Sequence, residues 1–462
     1  MTQTPVLSTK DAESCVPTTA SVKSNSSDKS QSLLNGFIRL TYHESITADH
    51  VGATYIFADT GNSTVDDEGQ IKSVLEGLPL VGTEEFELKL EDNNENVIHF
   101  SSKNDNALYV NKVTPVIEET NRSMVSLRLV SSEAIRNEQG SSRINIRMDG
   151  RISDHIKTIF KDFLKSEKLG ENDENIEETS NNYNFIGNGR KAFYTLNWLS
   201  KFGIPSKDGK PGDTAGFLFY ETSKGYHFKS IDALFGQEYS NGKKWKKKFI
   251  YNESVGEVPA GYDGKILQRT SIVKTPDAQE KLKMGAYQTK LVVFDPFNCA
   301  YRTFEQTAEE TERQDGIQIA GTNFPKLNDE FQFNDPINST RTTFMLYDTG
   351  TLPTGDTDQQ IESNATQNFE SQTVLNQAIR RYNQLFSAIE TITIVGDFSL
   401  HAGDAIFVDF PSLEVETSDD LDTESGGLYI IADICHYITS KETFTKMNLV
   451  RDSVGRVNPN SK

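Results

Sequence analysis

The sequence has few cysteines and no long apolar run. The three cysteines among its 462 residues, Cys15, Cys299 and Cys435, are an odd number without CxxC spacing, which excludes a disulfide framework and a cysteine-based zinc site. No apolar stretch approaches the ~18 residues of a membrane-spanning helix, and the chain does not start with an apolar signal segment. We therefore expect a protein without a membrane anchor, made and assembled in a reducing cytoplasm.

The chain also lacks an excess of basic residues. It carries 67 acidic against 47 basic side chains, a formal net charge of −20. Such a balance disfavours non-specific binding to a nucleic-acid backbone, because that binding needs clustered lysine and arginine. It suits a protein that avoids self-association until it meets a surface of complementary shape.

Motifs that carry chemistry are missing as well. The seven histidines are scattered without HxH or HExxH spacing, and no phosphate-binding loop or GxSxG motif occurs. The acidic segment 413–427 lacks the DxDxDG register of a calcium loop. The sequence therefore predicts no catalytic residue, no cofactor and no metal. A hydrolase with paired carboxylates at a barrel mouth stays open as a minor alternative.

Short stretches of alternating apolar and polar residues are what the sequence has instead. Between 385 and 452, Ile392, Ile394, Ile406 and Val408 belong to runs with period two that are separated by Gly-Asp turns, which indicates half-buried antiparallel strands. Similar runs recur every ten to fifteen residues from 33 to 135. The two regions share a texture but no residue-level repeat.

Helical spacing occurs between these regions. The segment 152–164 places its apolar residues on one face, 190–202 predicts a second helix, and 217–228 predicts a hairpin followed by a short helix. The segment 373–388 predicts a helix that leads into the closing strands.

The expected fold is mainly β, with two small antiparallel β-barrels, a peripheral α+β insert and long loops. The expected divisions are a flexible arm at 1–32, a first barrel at 33–145, the insert at 146–285, a second barrel at 286–452 with loops at 305–372 and 412–427, and a tail at 453–462.

One basic cluster opposes the overall charge. Lys243, Lys244, Lys246, Lys247 and Lys248 surround Trp245. The cluster is a candidate docking site for an acidic partner, because opposite charges steer protein association. A solvated hairpin rim and a phosphate contact are the alternatives.

Four stretches resemble the central baseplate hub proteins of contractile-tailed bacteriophages, which are related to the N-terminal region of type VI secretion spikes. They are "GFLFYETSKGYHFKSIDALF" (216–235), "LVVFDPFNCAYRTF" (291–304), "QAIRRYNQLFSAIETITIVGDFSLHAGDAIFVDFP" (377–411) and "GGLYIIADICHYITSKETFTKMNLVRD" (426–452). The resemblance extends over most of 33–452, and none of these stretches is catalytic.

The resemblance implies a structural, non-enzymatic virion protein with two tube-type barrels per chain. Three chains would form a ring of six similar barrels that joins the six-fold tail tube to the three-fold central spike. The implied partners are the tail tube and spike proteins, with baseplate wedge and tape-measure proteins as further candidates. Genome DNA would pass through the lumen without specific binding. A receptor- or glycan-binding tail-tip module is the alternative.

Overall fold

The fold is taken from a computed structural model. It describes residues 17–25, 29–59, 61, 64–65, 70–78, 80–119, 122–170, 173–207, 210–211, 214–251, 258–273, 278–295, 300–307, 317–325, 327–331, 341–346, 371–411, 421–422 and 425–455.

The N-terminal third consists almost entirely of strands. They are β1 (Pro17–Lys23), β2 (Ser30–Ser32), β3 (Phe37–Ser45), β4 (Gly52–Asp59), β5 (Thr64–Val65), β6 (Ile71–Lys72), β7 (Glu85–Glu91), β8 (Val97–Phe100), β9 (Leu108–Glu119) and β10 (Arg122–Ser131), with helix α1 (Val74–Gly77) before β7 and α2 (Ser132–Asn137) after β10. Alternation sets their faces: in β7, Phe86, Leu88 and Leu90 are fully buried while the residues between them are half-buried.

These strands close into an N-terminal barrel. Neighbouring strands pair in the order β1, β7, β9, β10, β4, β3. The ring closes because β2, which leads through a single 3₁₀ turn into β3, pairs with β1. The Leu33 N–H continues this contact by donating to the Ala20 carbonyl oxygen at 2.8 Å. The enclosed space is filled by one apolar cluster that includes Leu40, Tyr55 and Phe86.

An α+β insert follows. Its elements are β11 (Arg143–Ile144), β12 (Arg147–Met148), α3 (Ile152–Thr158) continued by a π-helical turn (Ile159–Leu164), β13 (Phe185–Ile186), β14 (Arg190–Lys191), α4 (Ala192–Leu199), β15 (Ser206–Lys207), β16 (Lys210–Pro211), β17 (Phe217–Thr222), β18 (Gly225–Ser230) and α5 (Ile231–Phe235). The predicted helices and the β17–β18 hairpin are confirmed. A separate aromatic core with Phe160, Phe219 and Tyr226 explains why this part packs as a unit.

The remaining elements build a second barrel and a small sheet. They are β19 (Lys247–Tyr251), β20 (Gly264–Ile266), β21 (Gln268–Val273), α6 (Ala278–Met284), β22 (Gln288–Asp295), β23 (Ala300–Thr307), β24 (Arg341–Leu346), α7 (Ser371–Leu385), β25 (Ala388–Val395), β26 (Ala405–Asp409), β27 (Gly427–Thr439) and β28 (Thr443–Arg451). Strands β22, β23 and β24 form their own sheet. The prediction of a mainly β chain with an α+β insert is confirmed.

The C-terminal barrel closes in the same way as the N-terminal one. Its strands pair in the order β19, β26, β27, β28, β25, β21. Strand β20 closes the ring by pairing with β19 directly before the chain enters β21.

Strand by strand, the two barrels share one order. In chain order, β1, β2–β3, β4, β7, β9 and β10 correspond to β19, β20–β21, β25, β26, β27 and β28, and every neighbour relation is preserved. One strand differs in direction: β1 is antiparallel to both neighbours, whereas β19 is parallel to both. The barrels are therefore topological duplicates with one strand reversed.

The predicted flexible arm at 1–32 is wrong for its described part. Residues 17–23 and 30–32 are strands of the N-terminal barrel, where Ala20 and Val22 are fully buried. Both side chains belong to the apolar cluster that fills this barrel. Residues 1–16 and 26–28 of that prediction lie outside the described residues.

Strands of the C-terminal barrel also start before the expected division at 285. Strands β19 and β21 pair with β26 and β25, which lie more than a hundred residues further along the chain. Most of the predicted loops at 305–372 and 412–427, and the tail from 456, lie outside the described residues.

Candidate functional site

The two barrels meet in one continuous sheet. Strand β3 of the N-terminal barrel pairs antiparallel with β27 of the C-terminal barrel, from Arg39 opposite Thr439 to Ser45 opposite Asp433. This ladder extends the sheet over both barrels in the order β21, β25, β28, β27, β3, β4, β10, β9, with every neighbouring pair antiparallel. We call these eight strands the junction sheet.

One face of the junction sheet is the wall of both barrel cores. Residues directly opposite each other in a ladder share a face. On the inner face, Leu40 lies opposite Ile438 and Tyr42 lies opposite His436, and all four side chains are fully buried. The His436 ring stacks on the Tyr42 ring with 6.0 Å between centroids, and its Nδ1 shares a hydrogen bond with the Thr445 hydroxyl. Burial lowers the pKa of His436 to about 4, so the ring is neutral.

The other face is polar and passes without interruption from one barrel to the next. The Thr391 hydroxyl donates to the Asn448 side-chain oxygen at 2.9 Å, and the Asn448 side-chain amide donates to Asp433 at 3.0 Å. Across the ladder, the Arg39 guanidinium lies 5.9 Å from the centre of the Tyr437 ring. We call this surface the outer face.

The described charges on the outer face are mostly basic. The ladders place Lys446, Arg39, Arg128 and Lys112 on it, against the carboxylate of Asp433. Among the described side chains, this surface therefore does not carry the acidic net charge of the chain.

A buried carboxylate fixes the place where the two barrels and the insert meet. Glu44, on β3, accepts hydrogen bonds from the Tyr42 hydroxyl at 2.7 Å, the Ser223 N–H at 2.9 Å and the Ala402 N–H at 3.0 Å. His401 Nδ1 lies 3.3 Å away. Burial by itself would raise the pKa of Glu44, but His401 and the two backbone N–H groups lower it to about 2. The ionised side chain thus joins the N-terminal barrel, the insert hairpin and the C-terminal barrel.

A second buried carboxylate at the same boundary has its pKa shifted in the opposite direction. Glu221, on β17, is buried and accepts a hydrogen bond from the Val51 N–H at 2.9 Å. Burial, partly offset by Lys168 and reinforced by Glu133, raises the pKa of Glu221 to about 7. Lys168 is held at 2.8 Å by Glu133.

Helix α7 is anchored by a buried arginine. The Arg381 guanidinium donates to Asp232 at 2.9 Å and to Asp452 at 2.8 Å, and all three side chains are almost fully buried. Asp232 belongs to the insert and Asp452 follows β28, so this ion triad holds the helix between the insert and the C-terminal barrel.

Most of the predicted basic docking site points into the structure. Lys246 pairs with Asp404 at 2.7 Å, Lys247 with Asp397 at 2.5 Å and Lys248 with Asp409 at 3.0 Å. Each of these three carboxylates is mostly or fully buried, and Trp245 packs against Phe407 with 5.0 Å between ring centroids.

Only the first two lysines of the cluster are exposed. The Lys243 ammonium lies 5.3 Å from the centre of the Trp245 ring, and Lys244 donates to the Gln318 side chain at 3.2 Å. A docking role remains a prediction for Lys243 and Lys244. The sequence did not signal the pairing, because the partner carboxylates lie 150 or more residues away in the chain.

The described residues also bear on metal binding and on membrane spanning. Within the described ranges, no group of three or more His, Cys, Asp or Glu side chains has the geometry to hold a metal ion. Among the helices of the same residues, none is long and apolar enough to cross a membrane.

Solved structures with a similar chain path come from tail and secretion proteins. A tail protein from Neisseria meningitidis has a TM-score of 0.47 and 7% identity over 94% of this chain and 96% of its own. A 43 kDa tail protein of a Shewanella oneidensis prophage has a TM-score of 0.47 and 11% identity over 94% and 99%. An Escherichia coli component of the type VI secretion system has a TM-score of 0.37 and 8% identity over 92% and 77%.

No protein-family model and no curated protein matches the chain. With identities near 10% and TM-scores below 0.5, the function has to be argued from this chain's own geometry.

Removing Lys248 should destabilise the protein, whereas removing Lys243 should not. Lys248→Ala leaves the buried Asp409 carboxylate without its 3.0 Å ammonium partner, and we expect a loss of about 2 kcal/mol in the free energy of unfolding. Lys243→Ala removes an exposed charge and should change it by less than about 0.5 kcal/mol. Urea denaturation of both variants measures the difference, and equal effects would contradict the internal role of Lys248.

Glu221 should make stability fall as the pH rises. Its pKa is about 7 in the folded chain and about 4.5 in the unfolded chain, so the folded state binds more protons between these values. The stabilisation that this proton gives the folded state is complete below pH 4.5 and is lost as the pH rises through 7. Glu221→Gln should gain on the order of 2 kcal/mol over wild type from pH 5 to pH 8.

Glu44→Gln is the matched control for this pH series. The pKa of Glu44 is about 2, so its carboxylate is ionised across the whole range and the variant should be less stable than wild type by a constant amount. The denaturation midpoints of wild type, Glu221→Gln and Glu44→Gln at each pH test whether Glu221 titrates in this range. Parallel curves for wild type and Glu221→Gln would show that Glu221 does not titrate near pH 7.

Proposed function

We propose that this protein is a structural hub subunit of a contractile phage tail baseplate. Three copies form a ring of six barrels that joins the hexameric tail tube to the trimeric central spike. The observation that carries the proposal is the pair of barrels with the same strand order, joined edge to edge in one sheet. The chain therefore presents two equivalent modules side by side.

Two equivalent modules per chain solve a problem of symmetry. A three-fold assembly of such chains offers six similar surfaces to a six-fold partner and three identical surfaces to a three-fold partner. A single-barrel subunit lacks this property. The buried hydrogen bonds of Glu44 support the role, because they hold the two barrels in the fixed relation that a rigid adaptor needs. The Arg381 ion triad adds a fixed position for helix α7 between the insert and the C-terminal barrel.

The sequence resemblance gives the role its biological setting. Stretches at 216–235, 377–411 and 426–452 resemble central baseplate hub proteins, and all three contribute to the contacts that join the modules. On this basis the partners are the tail tube and spike proteins, with wedge and tape-measure proteins beyond them. The protein acts in the virion after assembly in the host cytoplasm and performs no catalysis.

The outer face of the junction sheet is the candidate channel wall. A ring that continues this sheet turns one face toward the barrel cores and the other toward the common axis. The net charge of −20 favours an acidic channel wall that repels DNA phosphates, but the charged side chains described on this face are mainly Lys446, Arg39 and Arg128. The proposal is therefore passage of DNA without base-specific contacts and without an acidic lining on this face.

One observation favours a receptor- or glycan-binding module as the second candidate. The sheet of β22, β23 and β24 exposes apolar side chains on a single face, with Phe344 77% and Leu346 73% exposed beside the partly exposed Phe294. Exposed aromatic clusters on a sheet face are what that alternative predicts. The β22–β23 ladder places Tyr301 opposite Phe294, at a register position on the same face.

The full chain should be a trimer. Sedimentation equilibrium or native mass spectrometry of the purified protein should give the mass of three chains, because the two barrels of one chain leave the ring incomplete. A monomer at high protein concentration would contradict the hub, and a monomer that binds a defined glycan would favour the second candidate.

A further inference from the structure

We infer that neighbouring copies of this chain join by strand pairing between β9 of one copy and β21 of the next. The inference rests on the proposed ring, and it names the contact that closes it. Its basis is the correspondence between the two barrels. Strands β3 and β27 pair with each other within one chain, and their counterparts β21 and β9 are placed to pair in the same way between chains.

The correspondence can be followed from residue to residue. In the N-terminal barrel, Leu127 on β10 lies opposite Tyr55 on β4; in the C-terminal barrel, Met447 on β28 lies opposite Ile392 on β25. All four side chains are fully buried. These positions align β10 with β28 and β4 with β25.

Matching irregularities align the junction strands themselves. Strand β9 skips Asn111 and Val116 in its ladder with β10, and β27 skips Ala432 in its ladder with β28; the skips at Asn111 and Ala432 fall at equivalent places. After the skip, Lys112 on β9 corresponds to Asp433 on β27, and Thr114 corresponds to Cys435. A shared bulge at the same place in two barrels is a designed feature of a strand and not an accident of pairing.

Strands β3 and β21 also align with each other. Thr41 on β3 lies opposite Thr54, and Ser271 on β21 lies opposite Thr391, at equivalent places in the two barrels. His43 therefore corresponds to Val273.

On β9 and β21, the edges that correspond to the β3–β27 junction form no such ladder among the described residues. Strand β27 uses Gly427–Ile430 for β26 and the part from Asp433 onward for β3. Strand β9 pairs with β7 through Leu108 and Tyr109, and Val110 exchanges backbone hydrogen bonds with Thr83 and Glu84. Beyond Val110, the edge of β9 facing away from β10 has no strand partner among the described residues. The edge of β21 facing away from β25 is likewise without a strand partner in the described ranges.

Open strand edges of this length invite pairing with another chain. The edge of β9 shows Lys112, Thr114 and Val116 as exposed residues, and Pro115 removes one backbone donor from it. Copying the internal register, in which Cys435 lies opposite His43, places Thr114 of one copy opposite Val273 of the next. The contact is head-to-tail, so it closes into a ring instead of forming a two-fold dimer.

A cysteine pair tests this register directly. Residues opposite each other in an antiparallel ladder have Cα atoms about 4.5–5.5 Å apart, which is within the range of a disulfide. The full chain carrying Thr114→Cys and Val273→Cys, with Cys15, Cys299 and Cys435 replaced by serine, should form covalent dimers and trimers on oxidation. Non-reducing electrophoresis should show them, and reductant should return them to single chains.

Two controls define the background. The pair Thr114→Cys with Gln268→Cys keeps the same face of β21 but shifts the register by four ladder positions, about 13 Å along the strand, and should cross-link at least tenfold less. His43→Cys beside the native Cys435 should form a disulfide within one chain, because these residues lie opposite each other at the internal junction. Amide hydrogen exchange of the unmodified assembly is an independent readout: β9 beyond Val110 and β21 should be more protected at high concentration than after dilution to single chains.

The outcomes separate this inference from the proposed function. A trimer in which β9 and β21 exchange freely and the designed pair fails to cross-link overturns the strand contact and leaves the hub intact. Equal cross-linking by the shifted pair also overturns it. A monomer overturns both.

Discussion

The ladder between β3 and β27 is the constraint on which the rest of the structure depends. It converts two closed barrels into one sheet with a shared outer face, and it fixes their relative position through backbone hydrogen bonds that neither barrel needs for its own closure. Glu44 lies within this ladder and points inward, where its carboxylate binds groups from the insert and the C-terminal barrel. The proposed adaptor role depends on this ladder, because it is the backbone contact that joins the two barrels.

The duplication is one of topology and not of sequence. Equivalent positions hold Tyr55 and Ile392, or Leu127 and Met447, so burial is retained while residue identity is free to change. The reversed direction of β19 relative to β1 shows how far this freedom goes, because a strand at the seam of a barrel only has to supply a ladder and an apolar side. The proposed function therefore depends on strand edges and registers and not on a catalytic side chain.

The sequence predicted the elements well and their connections poorly. Alternation around Ile392 and Ile394 and the helical spacing at 152–164 are local signals, and both elements formed as predicted. The membership of β19 in the C-terminal barrel depends on a partner strand beginning at Ala405, which no local pattern reveals. The lysines at 246–248 resembled a surface patch because their buried partners are equally remote. The β3–β27 ladder, a pairing of strands almost four hundred residues apart, had no sequence signal at all.

An electron cryo-microscopy reconstruction of the assembled protein tests the central claim most directly. The account predicts six barrels around one axis, with the same strand-to-strand contact at the three junctions within chains and at the three between them. The outer face of the junction sheet would then line the channel. Chains that associate instead through the exposed face of β22 and β24, with their barrels outside any common ring, would contradict it.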